Sequence, residues 1–304
     1  EALEEGISEL AYEVKVAYYN LYLTERSIDI TRENVEILNT LRKLALNRLE
    51  TGTASAVDVL RVEIEISDLE NQLVDLMELK ISQQVEFNNL LNVDPEREVL
   101  LPDELSIPDV AFESIAIRDS IRQGNHAIKR LDFLEQALLK QEDVAGKSGM
   151  PSFSVGIDYI MIGRSEGPLP GSYTSGRDAI IFPKIGVSIP IYRKKYKSMV
   201  REAVYMQDAV ASQREEKLNR LETLQAKTGR EYRDAGRRLP LYRLQAERAE
   251  KVIKLLETEY ATMGTNFEEI LRMERQLLRF RLETEKARAD KNAAFAFVNF
   301  LLGK

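Results

Sequence analysis

The 304-residue sequence has no cysteine, no tryptophan and a single histidine, His126. Zinc sites of the Cys/His type and thiol chemistry are thereby excluded, and a Ser/His/Asp triad would have to be built on His126. Glycine and proline are scarce, at 15 and 9 residues, so few positions punctuate the chain. No run approaches roughly 18 consecutive apolar residues, the length that a transmembrane helix requires. Positive charge is also in deficit. Lys and Arg number 43 against 50 Asp and Glu, for a net charge of −7. That balance argues against a nucleic-acid partner, which needs a concentrated basic surface, and does not suggest attraction of the whole chain to an anionic membrane. What is abundant is charge (31%) together with apolar residues (44%), the composition of long amphipathic helices.

The few breakers divide the chain into five segments. Residues 1–94 read as a helical hairpin turning at Gly52, and residues 95–110, with Pro95, Pro102 and Pro108, read as an extended connector. Residues 111–150 form a helix dented at Gly124-Asn125 and broken at Gly146 and Gly149. In residues 151–192 the apolar period changes from 3.6 to 2, the only β signal present. Residues 193–304 form a second helical hairpin turning at Met263-Gly264, with Pro240 expected to kink or locally unwind its first helix. In the first helix, Leu10, Val14, Ala17, Leu21, Thr24, Ile28, Thr31, Val35, Leu38, Arg42, Ala45 and Leu49 recur at alternating steps of four and three. This is a coiled-coil seam, and its small and polar members suit a wall of helices packed side by side.

The two hairpins are related by a constant offset of 211 residues. Thr51, Leu60, Arg61, Glu63, Lys80, Asn88, Leu90 and Leu91 coincide with Thr262, Leu271, Arg272, Glu274, Lys291, Asn299, Leu301 and Leu302, and the apolar seams share one register. Identity and register together indicate an internal duplication. Carried backwards, the offset places the start of the first repeat ahead of Glu1. The expectation is a chain that starts inside a helix, its first repeat lacking its own strand pair and the helix before it.

In the β segment, Phe153, Val155, Ile157, Tyr159 and Met161 alternate with mostly polar residues, and Ile181, Ile185, Val187, Ile189 and Ile191 repeat the scheme. Alternation alone fits a half-buried hairpin of a soluble sheet. That account is the one alternation alone favours, but the lengths also fit tilted membrane strands of roughly 9–11 residues, with Tyr159, Tyr173, Phe182 and Tyr192 as interfacial aromatics. Two strands cannot close a barrel, so the membrane reading demands several copies of the chain.

The ordered set of features resembles the outer-membrane efflux protein family, the TolC-like exit ducts. It rests on Gly52 with Asp58-Val59-Leu60-Arg61, the Leu90-Leu91 helix end before Pro95, and Leu101-Pro102. Pro151-Ser152-Phe153-Ser154-Val155, Ile185 to Tyr192, and Tyr260 with Glu269-Ile270-Leu271 complete it. The connector Val99-Leu100-Leu101-Pro102-Asp103 is similar to the heavy-metal efflux branch. The resemblance implies a mainly α protomer of long antiparallel helical hairpins (an α-barrel protomer) plus one membrane β-strand pair. It implies a homotrimer sharing a 12-stranded barrel in outer-membrane lipid, with a helical tunnel in the periplasm. A periplasmic adaptor and an inner-membrane pump would engage the helix tips of this passive, cofactor-free channel.

For the gate, the resemblance places Asp58 and Glu269 where the family has its tip acids, and Tyr260 where it has a gate tyrosine. Thr265 stands where some members carry a gate arginine, and Arg272 replaces a second acid. Gly52 and Gly264 are the corresponding hairpin turns. A simpler account makes Asp58 and Glu269 first-turn acids favoured by the helix dipole. His126 reads as a surface or packing residue. The scattered methionines read as packing filler, and the arginines from Arg230 to Arg243 as a solvated face. The alternative function is a soluble coiled-coil scaffold or periplasmic adaptor without a pore. An enzyme finds no supporting constellation.

Overall fold

The computed structural model describes residues 1–108, 114–160, 170, 180–263 and 267–304. Among these residues six helices and two strands follow in the order α1 (Ala2–Glu50), α2 (Ala56–Leu90), α3 (Ser114–Gly124), α4 (His126–Ser148), β1 (Ser152–Ile160), β2 (Ile180–Ser188), α5 (Arg193–Met263) and α6 (Phe267–Leu301). The chain divides into two compact units, Glu1–Arg130 with Lys217–Lys304, and Leu131–Glu216.

In the first unit α1 packs against both α2 and α6. The seam read from the sequence is the buried one from Ala17 onward: Ala17, Leu21, Thr24, Ile28, Thr31, Leu38 and Ala45 are all buried, whereas Leu10 is exposed. Off-seam Tyr22 and Leu41 are buried as well, because α1 has two partners and needs two apolar stripes. The largest apolar cluster gathers Leu38, Leu41, Val62 and Ile66 with Tyr260, Phe267, Ile270 and Leu278.

The turn from α1 to α2 is closed by Gly52, whose φ of +73° favours glycine, with Thr53 N–H donating to the Arg48 carbonyl at 2.9 Å. Ser55 then caps α2, its Oγ accepting from Val57 N–H at 3.1 Å. The far ends of the two repeats match in detail. Asn92 and Gly303, also 211 residues apart, both take left-handed φ values of 52° and 70°. The next residue's N–H reaches back to Asn88 O at 3.1 Å in one and Asn299 O at 2.9 Å in the other. The connector is then held by Asn88, whose Nδ2 donates to Pro95 O and Arg97 O at 3.0 and 2.8 Å.

Two expectations about breakers are corrected, and a third in part. Gly124-Asn125 is a full break, because Asn125 Oδ1 accepts from Ala127 N–H at 3.1 Å and starts a new helix, while its Nδ2 donates to Leu301 O at 3.1 Å. Gly146 does not break α4, which continues to Ser148; an interior helical glycine costs only about 1 kcal/mol relative to alanine. Pro240 does not unwind α5, which stays helical through all 71 residues. Buried Ala235, Leu239, Ala246 and Ala249 on either side hold the helix against the loss of one hydrogen bond.

In the second unit β1 and β2 pair antiparallel, Ser152 opposite Ser188 and Ile160 opposite Ile180. Phe153, Val155, Ile157 and Tyr159 lie opposite Val187, Ile185, Pro183 and Ile181, which puts all eight on one face. The other face carries Ser152, Ser154, Asp158, Lys184 and Ser188 together with Ile160 and Phe182 near its far end, and Lys184 Nζ lies 3.4 Å from Asp158 Oδ2. Ile189 falls outside the strand: β2 ends at Ser188 because Pro190 has no N–H to extend the ladder. Met161, Tyr173, Gly264 and Thr265 lie outside the described residues.

Candidate functional site

The ends of α1 and α5 and the starts of α2 and α6 converge at the hairpin tips. Tyr260, near the C-terminus of α5, is fully buried (0% exposed), its ring 5.0 Å from that of Phe267. Arg48 clamps it from α1, with its guanidinium 4.9 Å above the Tyr260 ring and Nη1 donating to the Tyr260 carbonyl. The Tyr260 hydroxyl has no hydrogen-bond partner among the described residues. Burial pushes its pKa up, the negative charge of Asp58 pushes the same way, and Arg48 opposes both.

Asp58 and Tyr260 are thus brought into one electrostatic cluster with Arg48, a residue that sequence reasoning missed. Glu269 instead pairs within α6, accepting from Arg272, and that hydrogen bond holds the Arg272 guanidinium above its ordinary pKa. A second tip link was also missed: Arg61 Nη1 lies 2.7 Å from Glu268 Oε2, tying α2 to α6. Its sequence signals were the coincidence of Arg61 with Arg272 in the repeat and the place of Arg61 in Asp58-Val59-Leu60-Arg61, neither of which pointed to Glu268. Gly52 forms its turn as expected. The strand residues Phe153, Val155, Ile157, Tyr159, Ile185 and Val187 share one bare apolar face, Val155 being 86% exposed. Exposure on both faces removes the half-buried soluble-sheet account within this chain.

Where α6 faces α1, the interface is polar at two levels. Glu274 is only 3% exposed, beside Leu271, Leu277 and Leu278, and receives one hydrogen bond from Asn34 Nδ2 at 3.5 Å. Burial, with the nearby charges of Glu257 and Glu250, raises its pKa to about 7 against the lowering effects of Arg281 and Asn34. Further along, buried Arg288 bridges Glu285 and Glu104, and Tyr22 Oη donates to Glu285 Oε2 at 2.8 Å. Leu105 N–H donates to Tyr22 Oη at 3.4 Å, so this cluster pins the connector. His126 is a packing residue, its Nδ1 2.8 Å from Glu1 Oε2. Arg238, far from being merely solvated, joins Asp234, Glu283 and Asp290.

The two repeats differ in one respect that bears on assembly. Leu271, Glu274, Leu278, Arg288 and Ala296 of α6 are buried. Their counterparts on α2, Leu60, Glu63, Ser67, Met77 and Val85, are all exposed, Leu60 at 59% against 4% for Leu271. The same contrast holds for the receiving helix. Ile30 and Leu41 of α1 are buried, whereas their counterparts Leu241 and Val252 on α5 are exposed. The register positions at which α1 and α6 meet inside the chain therefore recur on α5 and α2, where those compared are left uncovered.

Among the described residues no group of acidic and histidine side chains is placed to hold a metal ion, and no helix is long and apolar enough to cross a membrane. By sequence the chain matches no family model and no curated protein. By structure it is similar to the outer-membrane channel OprN (TM-score 0.82, 16% identity, 99% of this chain and 67% of that one). It is also similar to CusC, whose structures concern folding and transmembrane channel formation (0.82, 13%, 99% and 70%). A third similar structure is the outer-membrane protein VceC from Vibrio cholerae (0.80, 14%, 97% and 70%). The chain spans about two thirds of the length of these proteins. It has the fold of a TolC-like outer-membrane channel protomer, in which long helical hairpins are joined to a small antiparallel strand pair.

Proposed function

We propose that the chain is the protomer of an outer-membrane export duct, a passive channel that assembles as a homotrimer and opens at its periplasmic helix tips. A periplasmic adaptor and an inner-membrane pump would complete the path, and outer-membrane lipid would surround the strands. The observation that carries this reading is the duplicated, unsatisfied interface. The bare face of α2 matches in register the α6 face that α1 buries, and the bare face of α5 matches the receiving face of α1. Such a contact is heterologous, so its repetition gives a ring when the rotation closes. The strand pair supports the same assembly: one bare apolar face suits lipid, the polar face with Asp158 and Lys184 suits a lumen, and open edges in lipid require neighbouring strands.

The tip cluster is the proposed latch. Exposed ion pairs such as Arg61–Glu268 are each worth roughly 0–1 kcal/mol. Three copies of each link would hold the tips closed while leaving them openable by partner contacts. Asp58, Tyr260, Glu269 and Arg272 are the proposed gate residues, joined by Arg48.

The interface is tested by cross-linking, for which the absence of native cysteine leaves a clean background. The Asn34–Glu274 contact within the chain corresponds to Gln245 on one copy and Glu63 on the next. The double variant E63C/Q245C should give disulfide-linked dimers and trimers on oxidation in detergent, with neither single variant doing so. A product that stays monomeric overturns the assembly. In planar bilayers, replacing Asp58, Tyr260 and Glu269 by alanine should raise conductance, and unchanged conductance removes these residues from the gate.

A further inference from the structure

At the base of the strand pair, where β2 gives way to α5 against the end of α4, lies a cavity of about 550 Å³. One side is apolar, formed by Ala145, Pro151, Ile189, Pro190 and Val200. The other is lined by Arg193, Lys197 and Arg201, which recur at steps of four and therefore stack on one face of α5. None of the three has an ion-pair partner among the described residues.

This arrangement is unfavourable for the helix itself. Three like charges four residues apart repel one another. Arg193 also opens the first turn of α5, where the helix dipole disfavours a cation and no acid offsets it. An anion held in the cavity reverses both penalties. The surroundings indicate its kind. Ile189 lines the cavity, Ile191 and Tyr192 follow it in the chain, and all three are exposed, as are Phe153, Val155 and Ile185 of the strand pair that leads to it. Along the chain, alkyl surface, then a tyrosine, then cations is the order met on leaving a bilayer core for its headgroups.

We propose that this cleft binds the phosphate of an anionic phospholipid, with the lipid's acyl chains lying along the apolar face of the strand pair. The net charge of −7 conceals the site, because the cations are concentrated at one place in an acidic chain. The inference rests on the lipid-facing reading of the strands but adds a specific headgroup contact. A soluble phosphate would make no use of the adjoining apolar face.

The test is flotation of the whole chain with vesicles of phosphatidylcholine, with and without phosphatidylglycerol. Three proteins are compared: the parent, R193Q/K197Q/R201Q, and a charge-matched control, R248Q/K251Q/K254Q, which removes exposed cations elsewhere on α5. Each cation near an anionic surface is worth on the order of fivefold in partitioning. The cleft variant should therefore lose on the order of one-hundred-fold of the phosphatidylglycerol-dependent binding, the control should keep it, and binding to phosphatidylcholine alone should be equal in all three. Retention by the cleft variant, an equal loss in the control, or abolition by soluble glycerol phosphate overturns the lipid site. Equal binding of the parent to both vesicles overturns the headgroup contact and leaves the lipid-facing strands standing. No binding to either vesicle sinks both.

Discussion

Glu274 gives the fold a measurable pH dependence. Its carboxyl sits in the α1–α6 interface at 3% exposure, with Glu257 and Glu250 adding negative charge from α5, and Arg281 and the hydrogen bond from Asn34 opposing them. The folded-state pKa is about 7 against an ordinary 4.5. A raised carboxylate pKa means that the folded chain holds its proton longer than the unfolded chain does. The interface is then unpenalised below about pH 4.5 and loses stability as pH rises towards about 7, with no further loss from this group above that. At about 1.4 kcal/mol per pKa unit, the loss amounts to about 3 kcal/mol.

Replacing Glu274 by glutamine keeps the shape and the hydrogen bond with Asn34 but removes the titration. Urea denaturation of parent and E274Q, repeated from about pH 4.5 to about pH 8, isolates the group as the difference between the two curves. The two proteins should be of similar stability at the acid end, with E274Q gaining up to about 3 kcal/mol by the alkaline end. A difference that stays flat across this range refutes the argument, since it would mean that Glu274 is solvated or fully ion-paired in the folded chain.

Three further substitutions probe the local devices. N125A removes the α4 cap and the tie to Leu301, and should lower stability by about 1–2 kcal/mol in the same denaturation assay. G52A meets no neighbouring atom, so its cost of about 1 kcal/mol comes solely from the left-handed backbone. R288M leaves the Glu285 carboxylate without its cationic partner and breaks the bridge to Glu104; it should cost about 3 kcal/mol, with faster proteolysis of the connector as an independent readout.

Periodicity and punctuation made the architecture legible. The seam of α1, the Gly52 turn, the strand pair and the duplication all follow from residue spacing, because helix and strand periods are imposed by the backbone itself. Spacing was a poorer guide at single breakers. Gly146 and Pro240 sit inside helices whose neighbours outweigh them, and only tertiary contacts decide that competition. The tip cluster was half legible. Asp58, Tyr260, Glu269 and Arg272 came from matching positions in the repeat and the resemblance. Arg48 and the Arg61–Glu268 link depend on which helices lie side by side, which spacing does not specify. Glu274 was visible as an identity with Glu63, but nothing in the sequence distinguishes the buried copy from the exposed one.

That last contrast is where the duplication and the proposed assembly meet. Two copies of one helical pattern carry a glutamate at the same register position, yet a single protomer buries only Glu274. Leu60, Met77 and Val85 face water in the single chain, and each forgoes the transfer energy that covering it would supply. Retention of the apolar pattern on α2, and of Leu241 and Val252 on α5, is economical only when those faces are covered. The strand pair sets the same condition by other physics. Among the described residues its outer edges have no strand partner, and unpaired backbone groups are not tolerated in a lipid environment. A closed ring of copies satisfies both conditions at once, whereas a soluble scaffold that covered α2 and α5 would still leave the apolar sheet face and its edges bare.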